Sequence, residues 1–391
     1  MGALDGINVI DAGVLVQAPQ AAALLQQLGA SVVKVEQPGF GDHARWLPVG
    51  QGDPRSAYYA ACNRGKRSVT LDLRVPVGRD AFLRMIETTD VLVTNFAPGT
   101  LERWELGYDV LAARNPRLVL ASGSAFGAAG PDASLEGADL SAQARGGLIS
   151  GTGVDGGDPT PVAATIADHI ASQNLVSGVL AALLVRERTG RGQRVEGSLL
   201  GGQIWAQASE YTAYLMTGVL PGRSNRGHPL VPGLYGIFPT ADGWIALVGV
   251  TLGQRDKFYA AVGRPDLLDD QRFAGPILWP KEKAALFGEL AQAMTTRTTA
   301  EWCEVLSAAG QRFAPVCDFA AVAADPQTWA NGYFALDESG APIVGSPLQF
   351  SDTPTRTGGP APELGQHTEE VLLEHGCTWD DIAALRDAGA I

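Results

Sequence analysis

The feature that most constrains the fold is the regular alternation of short apolar strands and helical segments over the first 125 residues. Strands are predicted at residues 7–11, 31–36, 68–72, 90–95 and 117–122, with helices at 18–28 and 77–88 and another helical segment after residue 95. Repeated strand–helix–strand units with short loops predict an α/β fold with a parallel sheet. Ligands bind beyond the carboxyl ends of such strands, so the loops at 36–42, 95–99 and 123–127 are expected to line a site.

The sequence pattern in the middle of the chain differs from that of the first 125 residues. A stretch rich in Gly, Pro and Asp covers residues 127–161, and helices are predicted at 168–188 and 199–216. A hairpin with a DG turn is expected from strands at 234–239 and 244–250. Helices follow at 254–262, 281–294 and 299–309, a return linker at 340–360, and two short helices at 368–375 and 379–388. These patterns predict a first large domain over 1–220 and a smaller α+β domain over 225–330.

Charge and cysteine content exclude several classes of function. The formal net charge is −13, which argues against nucleic acid as a general partner, because phosphate binding needs clustered Lys and Arg. The four cysteines are scattered, with no CxxC and no zinc spacing, so no metal site is predicted and a reducing compartment is expected. We see no signal peptide and no membrane-spanning stretch, so the expected location is the cytoplasm, without a membrane partner.

Asp168 stands at the predicted start of the long helix, in the sequence Ile166-Ala167-Asp168-His169. From its position alone, capping of the free N–H groups is the better explanation. A nucleophile would need an ionised, partly desolvated carboxylate beside a reactive carbonyl. A helix N-terminus favours the ionised form and also stabilises an oxyanion, so the two roles are compatible.

Three further patterns leave alternatives open. A lone GxGxxG at residues 151–156 is followed at once by two prolines, so it is interpreted as a glycine-rich loop rather than a dinucleotide fingerprint. The basic cluster at residues 63–67 is either a solvated surface or a site for the phosphates of a nucleotide-like cofactor. His228 lies in a polar loop that either meets a carboxylate substrate or is solvated.

Motifs along nearly the whole chain resemble those of the class III CoA-transferases. This formyl-CoA-transferase-like, CaiB/BaiF-type family also contains the α-methylacyl-CoA racemases. The matching segments are residues 17–19, 28–36, 39–42, 63–68, 71–73, 95–99, 139–147, 166–168, 183–193 and 364–368. The run Arg186-Glu187-Arg188-Thr189-Gly190-Arg191-Gly192-Gln193 is especially specific.

The resemblance implies a Rossmann-like large domain formed by both ends of the chain, with residues 331–391 returning to it. It also implies an interlocked homodimer, an acyl-CoA and a carboxylic acid as substrates, and no tightly bound cofactor. Asp168 matches the family's nucleophile, which passes through an aspartyl anhydride and an aspartyl-CoA thioester. The residues implied to bind coenzyme A are Gln17, Ala18, Arg74, Asn95, Phe96 and Arg103.

Two departures from the family pattern bear on the substrate. Residues 226–233 replace a flexible glycine run with a stiffer, more basic segment, so formate and oxalate are not the expected substrates. Gln143, Arg226 and His228 are the candidate residues to meet a larger acid. Ala138 stands where the racemases carry a histidine base, which disfavours racemisation or epimerisation. A non-catalytic acyl-CoA-binding protein remains the third alternative, and the donor and acceptor acids are not fixed by the sequence.

Overall fold

The computed structural model describes residues 1–275, 277–278 and 280–391. The chain divides into two compact units. Unit 1 comprises Met1–Gly147, Val162–Ala206 and Pro326–Ile391, and unit 2 comprises Leu148–Pro161 and Gln207–Asp325. Unit 1 therefore contains both the first and the last segments of the chain. The short segment Leu148–Pro161 groups with unit 2 rather than with the predicted large domain.

Strands and helices alternate along most of the chain. The strands are β1 (Asn8–Asp11), β2 (Ser31–Glu36), β3 (Arg67–Thr70), β4 (Val91–Thr94), β5 (Val119–Ser124), β6 (Arg194–Ser198), β7 (Leu234–Pro239), β8 (Trp244–Val250), β9 (Phe313–Pro315), β10 (Phe334–Leu336) and β11 (Pro342–Val344). The helices are α1 (Gln17–Gln27), α2 (Ala57–Asn63), α3 (Pro76–Ile86), α4 (Thr100–Arg103), α5 (Tyr108–Arg114), α6 (Asp139–Arg145), α7 (Leu148–Gly151), α8 (Ile166–Thr189), α9 (Leu199–Ala206), α10 (Ala208–Thr217), α11 (Arg255–Ala261), α12 (Pro280–Met294), α13 (Thr299–Ala308), α14 (Phe319–Ala324), α15 (Pro326–Ala330), α16 (Thr368–Glu374) and α17 (Trp379–Asp387).

Unit 1 is built on a six-stranded sheet in the order β3-β2-β1-β4-β5-β6, with every neighbouring pair parallel. This is the doubly wound order in which the chain direction across the sheet reverses between β1 and β4. The loops after these two strands therefore diverge and leave a crevice at the carboxyl edge. The predicted α/β fold with a parallel sheet is confirmed.

Both faces of the sheet are covered, as the apolar strands require. One face packs against α3, α5, α16 and α17 through Phe82, Leu111, Leu372 and Leu385. The other face packs against α1 and α8 through Leu25, Leu175 and Val179. The start of α8 is thereby placed close to the start of α1, because Ser172 Oγ lies 2.7 Å from the carbonyl oxygens of Gln17 and Asp168.

The exposed edge of β3 is covered by a segment from the other end of the chain. The His367 amide donates to the Ser68 carbonyl at 2.9 Å, and the Ser68 amide donates to His367 Nδ1 at 3.1 Å. Thr368 Oγ1 accepts from the Thr70 amide at 3.0 Å. An open strand edge is a site for unwanted pairing, and this segment removes it.

Unit 2 contains the antiparallel sheet β7-β8-β9 and its own apolar core. The core joins Phe238 and Ile245 of the sheet to Phe258, Leu290 and Trp302 of α11, α12 and α13. The predicted hairpin is present at the predicted strands, 234–239 and 244–250. The antiparallel sheet and the helices of unit 2 pack together around one core, so this unit has an α+β fold.

One prediction of secondary structure was wrong, and some elements were not predicted. The helix expected over 199–216 is two helices, α9 and α10, because Gln207 leaves the helical conformation between them. The stretch rich in Gly, Pro and Asp at 127–161 contains α6 and α7, which were not predicted. Strand β6 and helix α2 were not predicted, because β6 reads Arg-Val-Glu-Gly-Ser with little apolar content.

Helix α8 is the one described helix that is long and apolar enough to cross a membrane, with a mean hydropathy of 1.2 over its best window. The central helix of a folded domain passes the same test. Here α8 lies on the sheet and buries Leu175, Val176 and Val179 against it. We therefore describe α8 as a core helix of unit 1.

Candidate functional site

Asp168 lies in the first turn of α8, two residues after the helix begins. It is partly buried, and its side chain does not cap α8. The capping role that its position suggested is therefore performed by another residue.

That residue is Asp139, the first residue of α6. Its Oδ1 accepts hydrogen bonds from the amides of Ala167 at 2.7 Å and Asp168 at 3.2 Å. Two of the amides that every helix leaves unpaired at its start are thus satisfied by a carboxylate from a different helix. Capping by Asp139 leaves the carboxylate of Asp168 available for chemistry.

Gln143, one turn after Asp139, holds the cap in place. Its Nε2 donates to Asp139 Oδ2 at 2.6 Å and to the Ala164 carbonyl at 3.2 Å. Its Oε1 accepts from the Val162 amide at 3.0 Å. Gln143 is only 1 % exposed, so its amide is occupied within the chain and positions Asp139 and the segment that leads into α8.

The electrostatic environment raises the pKa of Asp168 to about 7. Burial is the larger cause, and the nearby charge of Asp139 adds to it, because two neighbouring carboxylates disfavour each other's ionisation. A hydrogen bond from the Gln17 backbone opposes both effects. No cation is paired with Asp168 or Asp139 among the residues that the structure describes. A carboxyl group with a pKa near neutrality is a common mark of a functional site.

Gln17 and Ala18, which the sequence predicted as coenzyme A ligands, form the start of α1. Gln17 is 3 % exposed, and its side chain lies against Gly123, where a Cβ would come within 2.4 Å of Gln17 Oε1. A side chain at position 123 would therefore displace the Gln17 amide group. Ala18 is fully buried, so it can meet a ligand only through its backbone.

A cavity of about 230 Å³ opens at the carboxyl ends of β1 to β4. Arg74, Phe96 and Trp104 line it together with Gly13 and Val14 of the loop that leads to Gln17. Typical ligand pockets measure roughly 300–1,000 Å³, so this cavity has room for only part of a large ligand. Asp168 is not among the lining residues of this cavity. The loop from Ala12 to Val16 connects the two places.

The remaining predicted ligands of coenzyme A have distinct surroundings. Arg74 is half-exposed at the cavity and forms a two-pronged ion pair with Asp72 at 2.7–2.8 Å. Phe96 packs edge-on against Trp104, with ring centres 5.0 Å apart, and lines both this cavity and a smaller one of about 30 Å³. Arg103 is exposed and donates to Thr100 Oγ1 at 2.7 Å.

Asn95 ties two loops together. Its Oδ1 accepts from the Val14 amide at 2.8 Å, and its Nδ2 donates to the Val14 carbonyl at 2.9 Å. The side chain thus joins the end of β4 to the loop after β1 across the crevice. Asn95 would therefore affect ligand binding by fixing the conformation of this loop.

The basic cluster at residues 63–67 is only partly exposed to solvent. Lys66 is fully buried, and its Nζ lies 2.7 Å from Asp11 Oδ2. Arg64 donates to the Val344 carbonyl at 2.7 Å, and Arg67 pairs with Glu374 at 2.8 Å. The interpretation as a solvated surface is therefore wrong for Lys66, and all three cations have partners within unit 1.

Arg226 and His228 lie in unit 2. His228 Nδ1 accepts from the Leu230 amide at 3.2 Å, and its Nε2 lies 2.9 Å from Glu210 Oε1. Both ring nitrogens are thus engaged. Arg226 is exposed, with its guanidinium 5.2 Å from the ring centre of Trp244. The Arg226 carbonyl accepts from the Ile237 amide at 2.6 Å, which connects this segment to β7.

Asp139 was missed as a functional residue by the motif analysis. The signal was present, because Asp139 and Gln143 are four residues apart and so share one face of a helix. Nothing in the sequence connects that pair with the start of α8, which lies 29 residues further on.

Three comparisons with known proteins agree. A model of CoA-transferase family III matches residues 4–368. The succinate–glutarate CoA-transferase of Agrobacterium fabrum is 34% identical over 95% of this chain and 95% of its own length. The succinyl-CoA:mesaconate CoA-transferase of Haloarcula marismortui is 35% identical over 96% of this chain and 97% of its own.

A solved structure shows the same fold. The crystal structure of a CaiB/BaiF family protein from Brucella suis superposes with a TM-score of 0.87 at 31% sequence identity. The match covers 96% of this chain and all of that chain.

Proposed function

The chain belongs to CoA-transferase family III and is a CoA-transferase, and we propose that it transfers coenzyme A from an acyl-CoA to a carboxylic acid through Asp168. The observation that carries this proposal is the state of the Asp168 carboxyl group. It is partly buried, relieved of capping by Asp139, and has a pKa of about 7. A carboxyl group with a pKa near neutrality is readily ionised at physiological pH and is more nucleophilic than an ordinary carboxylate.

The proposed reaction begins with the attack of an Asp168 carboxylate oxygen on the thioester carbonyl carbon. The carbon–sulfur bond breaks, and the products are an acyl–aspartyl anhydride and the coenzyme A thiolate. The thiolate attacks the aspartyl carbonyl carbon, which releases the donor acid and leaves an aspartyl-CoA thioester. The acceptor carboxylate attacks the same carbon and expels the thiolate. The thiolate then attacks the acceptor's acyl carbon and frees Asp168.

The start of α1 supplies the donors for this sequence. Each attack on the aspartyl carbonyl places negative charge on an oxygen of Asp168. The Gln17 backbone lowers the pKa of the Asp168 carboxyl group, and the Gln17 and Ala18 amides lie at the positive end of the α1 dipole. Backbone amides fixed at such a position stabilise a developing oxyanion by about 3–4 kcal/mol for each donor.

Coenzyme A itself would span the crevice. In this proposal Arg74 and Arg103 serve its phosphates, Phe96 lies along it, and its thiol end follows the loop towards Gln17 and Asp168. The cavity beside Arg74 and Phe96 receives one portion of the molecule, in keeping with its volume of about 230 Å³. The relatives named above use coenzyme A thioesters as substrates. We therefore propose coenzyme A as a substrate, and the proposed mechanism requires no tightly bound cofactor.

A dicarboxylic acid is the substrate class that we propose. The similar proteins named above act on succinate, glutarate and mesaconate. Of the two candidates in unit 2, Arg226 rather than His228 is the one proposed to bind a carboxylate, because His228 is engaged by Glu210 and Leu230. Gln143 is assigned to positioning rather than to substrate contact, since its amide is occupied.

Racemisation is disfavoured at the site itself. Ala138, where the racemases carry a base, is the residue before α6 and directly precedes the capping Asp139. A methyl group at this position can neither remove nor return a proton at an α-carbon. Exchange of deuterium into the α-carbon of an acyl-CoA is therefore not expected.

We further propose that two copies assemble as an interlocked homodimer in the cytoplasm. Unit 2 exposes a run of apolar side chains at the end of α10, with Leu215, Met216 and Leu220 each 78–79 % exposed. Apolar surface of this extent normally meets a partner. The four cysteines are free thiols, in keeping with a reducing compartment.

Trapping of the covalent intermediate tests the mechanism. The enzyme is incubated with succinyl-CoA and hydroxylamine, and peptides are analysed by mass spectrometry. A hydroxamate at Asp168 is expected, together with transfer to dicarboxylic acids in a product screen. The Asp168→Ala variant should lose at least about 1,000-fold in turnover. Asp109→Ala, an exposed Asp in the first turn of α5, is the matched control and should retain turnover. Full activity of Asp168→Ala would refute the proposal.

A further inference from the structure

The loop from Ala12 to Val16, between β1 and α1, has a path that other side chains impose. Lys34 Nζ donates to the Gly13 carbonyl at 2.9 Å. The Asn95 amide forms two hydrogen bonds with Val14. The loop is thus held from the β2 side and from the β4 side.

Leu15 is the strained residue of this loop. Its φ is +61°, a left-handed conformation that costs a residue with a Cβ free energy and persists only where the surroundings impose it. Asp42 Oδ1 accepts a hydrogen bond from the Leu15 amide at 2.8 Å. Asp42 is therefore the group that holds this conformation.

Asp42 is itself fixed by burial and charge. It is 1 % exposed, and its Oδ2 lies 2.8 Å from the fully buried Nζ of Lys34. The same Asp42 Oδ1 accepts from the Ala44 amide at 2.8 Å. Because these contacts fix the position of the Asp42 carboxylate, its hydrogen bond to the Leu15 amide also fixes the backbone conformation of Leu15.

Two residues beyond Leu15, Gln17 begins α1, and Ser172 Oγ lies 2.7 Å from the carbonyl oxygens of both Gln17 and Asp168, so the start of α1 lies beside the nucleophile. The Gln17 backbone lowers the pKa of the Asp168 carboxyl group. We propose that Asp42, backed by Lys34, is a positioning residue that aims the Gln17 amide at the nucleophile by holding Leu15 in the left-handed conformation. This inference rests on the proposed role of Asp168. Neither Asp42 nor Lys34 needs to touch the acyl group for it to hold.

The expected signature is a change in the pH profile. The Gln17 hydrogen bond lowers the pKa of Asp168, so its loss should move the acidic limb of kcat/KM to higher pH. The ionisable groups beside Asp168 are Asp139 of α6 and its own neighbour on α8, His169. Helix α1 contributes the Gln17 amide and no charge. Substitution of Asp42 leaves these groups unchanged.

The test compares Asp42→Ala with Asp42→Asn. Asp42→Ala removes the acceptor for Leu15, and kcat/KM for succinyl-CoA should fall by about 10- to 100-fold, as for other small misplacements near a reacting group. Its acidic limb should move up by at least about half a pH unit. Asp42→Asn keeps an oxygen that accepts from Leu15, so most of the activity and the wild-type limb should return.

Asp90→Asn is the matched control. Asp90 also accepts from a backbone amide, that of Asn8 at 2.8 Å, and pairs with a buried cation, Arg186, at 2.8 Å, but at the opposite end of the strands. It should destabilise the fold without moving the acidic limb. If Asp42→Ala does not fold, Lys34→Met with Asp42→Leu removes the pair without leaving a buried charge unpaired, and the same shift is expected.

The two proposals fail separately. Absence of a hydroxamate at Asp168 in the wild-type enzyme would reject the proposed mechanism. A labelled Asp168 in the wild type, with an acidic limb that stays at the wild-type pH in Asp42→Ala or in the double variant, overturns the positioning role. The positioning role is overturned equally if Asp90→Asn moves the limb as far as Asp42→Ala does.

Discussion

At the carboxyl ends of β1 and β2, buried carboxylates face cations, whereas at the start of α8 Asp168 and Asp139 have no cation partner within the described residues. Burial alone would raise the pKa of Asp11, but Lys34 and Lys66 outweigh burial and hold that pKa below its ordinary value. Burial and Asp139 instead raise the pKa of Asp168 to about 7. Paired carboxylates thus become fixed supports, whereas Asp168 stays available for the nucleophilic role that we propose.

Unit 1 contains both kinds of buried carboxylate because the free-energy cost of burying the charge is offset differently in each. In the paired group, Lys34 has Asp11 at 3.5 Å and Asp42 at 2.8 Å, so removal of either sign leaves a buried charge alone. In the unpaired group, protonation of Asp168 relieves the cost at acid pH. Substitutions that remove one charge at a time test this difference between the paired and the unpaired carboxylates.

The largest effect is expected for Lys34→Met. This change leaves Asp11 and Asp42 with one fewer buried cation, and the free energy of unfolding should fall by about 3–5 kcal/mol. Chemical denaturation followed by circular dichroism measures it. Lys257→Met, at an exposed lysine of α11, should change stability by less than about 0.5 kcal/mol. Equal effects of the two substitutions would show that the paired group is not a structural support.

The next effect has the opposite sign. Asp168→Asn removes a group whose folded pKa, about 7, lies above its ordinary value of 3.8. As pH rises from about 4 to 7, the unfolded wild-type chain releases this proton before the folded chain does, so the wild type loses stability. The variant should therefore be more stable above pH 7 by about 2–4 kcal/mol, the lower figure allowing for solvent at the partly exposed group.

Melting temperatures between pH 4 and 8 test this prediction. The difference between Asp168→Asn and the wild type should grow up to about pH 7 and then remain constant. A difference that does not depend on pH would mean that the pKa of Asp168 is ordinary, and the contrast between the two groups would disappear.

A smaller effect should separate charge from capping at Asp139. Asp139→Asn keeps an oxygen for the amides of Ala167 and Asp168 but removes the neighbouring charge, so the pKa of Asp168 should fall. The acidic limb of kcat/KM should then move to lower pH. Asp139→Ala should in addition lose about 1 kcal/mol of stability with the cap. An unmoved limb in Asp139→Asn would leave burial as the sole cause of the raised pKa.

The smallest effect is expected where water surrounds the charges. Arg84 of α3 pairs with Asp381 of α17 at 2.9 Å, and both side chains are more than a third exposed. Arg84→Ala should cost no more than about 1 kcal/mol, and the cost should shrink in 1 M salt. Denaturation at two salt concentrations measures it, and a cost as large as that of Lys34→Met would erase the distinction between buried and exposed pairs.

The sequence predicted the sheet well because local pattern and tertiary role agree there. Residues 91–94 are apolar or β-branched, and three valines alternate with or adjoin polar residues in 31–36, as expected of buried strands. Strand β6 escaped prediction because it lies at the sheet edge, where a polar sequence is tolerated. The break at Gln207 between α9 and α10 also has no glycine or proline to indicate it.

The site was predictable only in part. Asp168 was identified by its resemblance to a family motif, while its position alone favoured a cap. The cap is Asp139, and the contact that shows this joins residues 29 apart in the chain. Likewise, Lys66 resembled a surface cation, and only the fold reveals Asp11 beside it. Charges that pair across a fold are not visible as periodicity.

The covering of β3 by the segment around His367 has a consequence for biosynthesis. Ser68 and His367 are 299 residues apart, so the ribosome needs roughly 15–60 s to make the second after the first. During that interval the β3 edge of the sheet in the growing polypeptide is uncovered. Nascent chains on crowded polysomes would present this margin to one another, and a chaperone that shields extended backbone would be most useful then.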